Sequence, residues 1–218
     1  MTDSPAILGL QRNTLRMQAI EVLRRAITTG ELPPGSHVSE IEMSQRLQIS
    51  RGTLREAMRT LQIEGLLTEG SRGRLLVRRM DDEELRDLFL VRAALEALAA
   101  RTVAESPQRE SAVESLRAAV GLMSAAENES LDARMRADLD FHRELCRLTG
   151  NDTLMRAWSA LEGSILMSIT RSGIERAVRN MDVPRHLEIV DAIATGDPDT
   201  AAAAVAQHME LATRTLIS

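Results

Sequence analysis

Two sets of residues in this 218-residue chain have types and spacings suited to chemistry. The first is Asp138 and His142, with His186 and His208 further along. Leu131, Met135, Asp138, His142, Leu145 and Thr149 step by fours and threes, which is one face of a helix. Asp138 and His142 therefore point inward together, one turn apart. His186 shares a stripe with Val183, Val190 and Ile193, and His208 with Ala201, Ala204 and Leu211. A carboxylate buried without a partner is costly, so Asp138 calls for a compensating cation. Three imidazoles and one carboxylate suit a divalent ion, zinc first, with nickel, manganese or iron as alternatives. Each histidine taken singly reads more readily as a hydrogen-bonded core residue. For the set of four, the residues alone leave the two readings level.

The second set is Arg51, Arg55 and Arg59, which recur every four residues beside the apolar stripe Leu54, Ala57, Met58 and Leu61. Basic side chains near the start of a helix can enter the major groove while the stripe holds the domain core. The alternative is a solvated, salt-bridged face, since Glu56 and Glu64 lie nearby. Arg72-Gly73 sits in a turn that could reach a phosphate or the minor groove, with glycine permitting close approach.

The elements around these residues decide between the readings of the arginines. A helix over about 14–29 ends at Gly30, and Leu32-Pro33-Pro34-Gly35 is a rigid connector. Ser39-Glu40-Ile41-Glu42 is a capping box that opens a short helix, and Ser50 caps the next one, which stops at Gly65. Residues 66–69 and 74–77 read as two strands joined by a turn. Three helices and a hairpin make a winged helix-turn-helix, which turns the arginine face into a DNA-reading surface. Asp81 and Glu84 form a second capping box after a short link. Beyond it the pattern is helical throughout: about 82–105, 108–126, 131–149, 151–170, 173–180, 183–195 and 197–216. The expected fold is mainly α, with a DNA-binding domain over 1–79 and an all-helical antiparallel bundle over 80–218.

Composition supports this division. Aromatics are 1% of the chain and tyrosine is absent, so Leu, Ile, Val, Met and Ala do the packing, which favours helices. All 27 basic residues are arginine. Residues 1–80 hold 12 arginines against 8 acidic residues, and residues 81–218 hold 15 against 24. A basic segment ahead of an acidic one suits a nucleic-acid-binding head on a larger body. The single Cys146 excludes an internal disulfide and reads as a small buried hydrophobe. With no leader pattern and no apolar run of membrane-spanning length, the expectation is a soluble, cytoplasmic protein that does not engage a membrane.

Gly30 to Gly35, Ser39-Glu40, Ser50 to Ala57, Leu61, Glu64 to Leu67 and Arg72-Gly73 resemble the head of the GntR family of bacterial regulators. Val91 to Glu96, Asp138 to His142 and the later histidines resemble the FCD effector domain of its FadR branch. The resemblance covers about residues 14–215. It implies a homodimeric transcription factor that binds a palindromic operator and is controlled by a small molecule, most simply as a repressor. It places the DNA contacts on Arg51, Thr53, Arg55, Arg72 and Gly73, although Ile41 stands where some relatives carry a basic residue. It also implies a metal held by Asp138, His142, His186 and His208. The expected effector is a small organic acid whose carboxylate completes the metal coordination and meets an arginine. Arg92 is one candidate, unless it serves only as an internal ion pair to Glu96, and Arg171 is another. Two other readings remain: a metalloenzyme using the same four residues, and a bundle that only dimerises.

Overall fold

The computed structural model describes the backbone of residues 13–172 and 174–217, and their side chains except at 13, 14, 72, 169–172, 174 and 177. The head begins with α1 (Asn13–Thr28), α2 (Glu40–Arg46) and α3 (Arg51–Ile63). Ala19, Ile20, Leu23 and Ile27 of α1 close over Leu54, Ala57, Met58 and Leu61 of α3, and all eight are buried. The Ser39 hydroxyl accepts the Glu42 amide as expected, but the Glu42 carboxylate does not reach back. It turns instead toward Arg46, 4.0 Å away, so only half of that capping box forms. The tight turn between α2 and α3 puts Gln48 at φ 53°, a conformation that costs a residue with a Cβ.

Strands β1 (Leu67–Glu69) and β2 (Leu75–Val77) pair antiparallel as the wing, Leu67 opposite Val77. His37 forms a backbone bridge to Leu76, so the connector before α2 adds a third short edge. His37 itself is exposed.

The body comprises α4 (Asp82–Ala104), α5 (Arg109–Ala126), α6 (Leu131–Arg147), α7 (Asp152–Ser159), α8 (Glu162–Ser172), α9 (Ile174–Asn180), α10 (Val183–Ala194) and α11 (Pro198–Ile217). Asp81 and Glu84 complete a full capping box at the start of α4. Helices α4 and α11 lie side by side through the bundle, with α5, α6 and α10 packed around them. Among the described residues, no helix is long and apolar enough to cross a membrane.

One expected helix is wrong. The run over 151–170 breaks at Ala160-Leu161 into α7 and α8. The break lets α8 turn toward the head, where a Cβ on Gly163 would overlap the Glu64 carbonyl oxygen. Packing against the head therefore overrides the continuous helical pattern. The Arg78 guanidinium donates to the Ser164 hydroxyl at 2.8 Å, and Arg136 pairs with Glu21 at 2.9 Å. A cleft of about 330 Å³ remains between the two parts, bordered by Arg24 and Glu64 of the head and Arg136 and Arg143 of the body.

Candidate metal centre and nucleic-acid interface

Ser50 caps α3 by accepting the Thr53 amide at 3.1 Å, and the two hydroxyls share a 2.9 Å hydrogen bond. This fixes the first turn, so Arg51 and Arg55 project from a rigid base. Leu54, Ala57, Met58 and Leu61 face inward at 0% exposure, leaving Arg51, Arg55 and Arg59 on the open side. Arg51 makes no hydrogen bond among the described residues. Arg55 donates to both Glu40 carboxylate oxygens, at 3.1 and 2.9 Å, and holds that carboxyl below its ordinary range. Gly73 ends a one-turn 3-10 helix at the wing tip with φ 70°, which glycine adopts freely. The Arg72 side chain lies outside the described residues.

In the body, α6 carries Asp138 and His142, α10 carries His186 and α11 carries His208, each at most 5% exposed. One nitrogen from each histidine lies within 4.8 Å of the others. The ring centroids of His186 and His208 are 4.6 Å apart, and each lies 5.2 Å or less from that of His142. Phe141 holds two of the rings by its edges, at 5.2 Å from His142 and 4.9 Å from His186.

Hydrogen bonds outside the cluster set the tautomers. His142 Nδ1 lies 2.6 Å from Glu96 Oε2, and His186 Nδ1 lies 2.8 Å from the Asp182 carbonyl oxygen. Both partners are acceptors, so both Nδ1 atoms carry the proton and each Nε2 presents a lone pair. Those Nε2 atoms face each other at 3.3 Å, with Asp138 Oδ1 3.2 Å from that of His186. Burial pushes His142 below its ordinary pKa, even against the opposing pull of Glu96, so the ring stays neutral. Burial, reinforced by the other two imidazoles and by Arg185 and Arg92, lowers His208 still further. His208 Nδ1 and Asp138 Oδ1 are buried without a hydrogen-bond partner.

The facing lone pairs of His142 Nε2, His186 Nε2 and Asp138 Oδ1 repel unless a cation lies between them. Two nitrogens at about 2.0–2.1 Å from a tetrahedral ion stand about 3.3 Å apart, which matches the His142–His186 separation. The donor set and its spacing thus fit a divalent ion.

Glu96 is the functional residue that sequence reasoning underused, having been considered only as a partner for Arg92. Its Oε1 accepts from Arg92 Nε at 3.0 Å and from Trp158 Nε1 at 2.9 Å, while Oε2 accepts from His142 Nδ1. Burial raises its pKa, but Arg92 and His142 outweigh that and bring it to about 2. The i,i+4 spacing of Arg92 and Glu96 was visible in the sequence. The link from Glu96 to His142 crosses 46 positions and has no local signal. Arg92 keeps one terminal nitrogen, Nη2, buried and without a partner. Arg171 falls on α8, and its side chain lies outside the described residues. Cys146 is fully buried and burial raises its thiol pKa, as an inert packing residue requires.

Known proteins bear on both halves of the molecule. Residues 15–77 match the family described as bacterial regulatory proteins, gntR family, and residues 87–211 match the FCD domain. A probable D-xylose utilization operon transcriptional repressor of Paenarthrobacter nicotinovorans is 32% identical over 92% of this chain and 88% of its own length. The Nta operon transcriptional regulator of Aminobacter aminovorans is 29% identical over 81% and 82%. Among solved structures, a putative transcriptional regulator GntR from Rhodococcus sp. RHA1 superposes with a TM-score of 0.75 at 23% identity, covering 94% of this chain and 98% of that one. These relatives are regulators rather than enzymes, which sets aside the metalloenzyme reading. The chain belongs to the GntR family of bacterial transcriptional regulators and carries an FCD effector domain.

Proposed function

We propose that this regulator is a cytoplasmic, homodimeric repressor whose body, over residues 80–218, holds one divalent ion and releases DNA when a small carboxylate binds there. The observation that carries the reading is the convergence of three buried side chains, with His186 Nε2 3.3 Å from His142 Nε2 and 3.2 Å from Asp138 Oδ1. Asp138, His142, His186 and His208 would hold the ion, with zinc the first expectation. A bound divalent ion supplies positive charge that one carboxylate ligand leaves uncancelled, so the pocket favours an anion.

Arg92 supports that preference. Its Nη2 is buried and unpartnered, and its charge lies within reach of Asp138, His142 and His208. An acidic effector meeting Nη2 would satisfy a donor that is otherwise costly to leave alone. Arg171 remains a second candidate for the same role.

In the head, over residues 1–79, Arg51 and Arg55 would read base edges of a palindromic operator, with Thr53, Arg72 and Gly73 on the backbone. One recognition helix reads few base pairs, so two copies are needed. We assign the second copy to the outward face of α4, where Leu90 is 71% and Leu98 49% exposed, with Val91 and Ala94 also open to solvent.

The test combines elemental analysis of the purified protein with a thermal-shift screen of carboxylates on the metal-loaded form and on its operator complex. One equivalent of metal, and carboxylates that both stabilise the protein and dissociate DNA, are expected. Protein without metal, or release of DNA only by neutral or cationic compounds, would sink the reading.

A further inference from the structure

A continuous line of contacts leads from the histidine cluster to the end of the recognition helix. His142 Nδ1 binds Glu96, and Glu96 accepts the Trp158 indole N–H at 2.9 Å. Trp158, on α7, is fully buried, and the Arg143 guanidinium lies over its ring at 5.8 Å from the centroid. Arg143 also grips both carboxylate oxygens of Glu162 at 3.0 Å. Glu162 is the first residue of α8, and the next residue is Gly163, whose lack of a side chain lets it sit against the Glu64 carbonyl. Glu64 is the C-cap of α3, and Arg24 of α1 clamps its carboxylate at 2.8 and 2.9 Å.

Resting on the metal-centre reading above, we propose that Trp158 and Arg143 are positioning residues that carry occupancy of the histidine cluster to α3. A ring that donates through Nδ1 donates more strongly when its Nε2 is engaged, so loading His142 draws Glu96 toward it. Glu96 Oε1 is shared between Arg92 and Trp158, and a shift of that oxygen is felt by the indole. The indole bears on Arg143, and Arg143 holds the first turn of α8. That turn meets the head through a contact too close for gradual sliding: with Gly163 on the Glu64 carbonyl, the joint is docked or parted. Such a joint is a two-state element that both ends of the line can bias, which coupling requires. Linkage then makes the effect reciprocal, with DNA on the head altering metal affinity in the body.

The test uses the full chain, stripped with a chelator and titrated with Zn²⁺ alone. Amide exchange at Glu64, Gly65 and Leu66 reports on the joint, since their N–H groups bond within the end of α3. In the wild type, Zn²⁺ should slow these amides at least about five-fold, the low end of usual coupling. Arg143→Gln should bind Zn²⁺ with wild-type affinity, melt near the wild-type temperature, and lose that slowing. Trp158→Phe, which keeps a ring but removes the N–H, should lose it too. If Arg143→Gln keeps the full response, the route is wrong. If the wild type binds Zn²⁺ with no change at these amides, the coupling is overturned while the centre stands. If Zn²⁺ does not bind at all, the centre falls and this proposal falls with it.

Discussion

On the open face of α3, Arg51 and Arg59 stand in solvent and Arg55 keeps 67% of its side chain accessible even while paired to Glu40. On α4, the Arg92 side chain is 3% exposed and tied to Glu96, which is fully buried. The same guanidinium thus serves in two dielectric settings. In water, charge is cheap to keep and available to a phosphate or a base edge, and its attraction is screened by salt. In the core, charge is tolerable only when paired, and each partner becomes structurally indispensable. Function in the head is therefore separable from folding, whereas function in the body is not.

The sharpest way to break this contrast is to remove one partner from each region. Glu96→Ala leaves Arg92, the His142 Nδ1–H and the Trp158 N–H without their acceptor. It should cost about 3–5 kcal/mol in urea unfolding of the metal-free protein. Arg51→Ala should stay within about 0.5 kcal/mol of wild type in the same measurement. Equal losses in the two variants would end the distinction.

Metal comes next in size. With free Zn²⁺ at a hundred times its dissociation constant, linkage predicts about 2.7 kcal/mol of stabilisation, read as a raised melting temperature. Asp138→Asn should remove most of that gain. A variant that retains the full shift would place the ion elsewhere.

For the head, Arg51→Ala should weaken operator binding by about 1–3 kcal/mol at fixed salt while leaving the melting temperature unchanged. Fluorescence anisotropy with a selected operator checks it, and an unaltered affinity would move base reading off Arg51. The smallest effect concerns Glu40, whose pairing with Arg55 competes with the DNA contact proposed for that side chain. Glu40→Gln should tighten DNA binding a few-fold at most, because exposed ion pairs are weak. Weaker binding would show that Glu40 instead orients Arg55 for contact.

What could be read from the sequence follows the range of the interactions involved. The helix-turn-helix was legible because its determinants are local: Ser39, Ser50, Gly65 and the Leu54–Leu61 stripe lie within a few residues of what they control. Asp138, His142 and His186 were legible through periodicity, whereas the stripe read for His208 was only partly right: Leu211 is exposed, and the buried face runs through Ala201, Val205 and Ala212. The orienting role of Glu96 was not legible, because its contacts with His142 and Trp158 span 46 and 62 positions. The break at Ala160-Leu161 escaped for a related reason. Ala160 and Leu161 are good helix formers, and the close approach of Gly163 to Glu64, about a hundred positions upstream, has no local signal.

The glycine at that joint also limits how such regulators can be recombined. A different DNA-reading head could be spliced onto this body at the short link after the wing. The graft would seat only if its recognition helix ended with a carbonyl placed to meet Gly163 and an acidic side chain placed for an arginine like Arg24. A body with any larger residue at that position would hold the same head apart. On the proposed coupling, operator specificity and response to a signal would be inherited as separate pieces that communicate only where the seam between them is a matched pair.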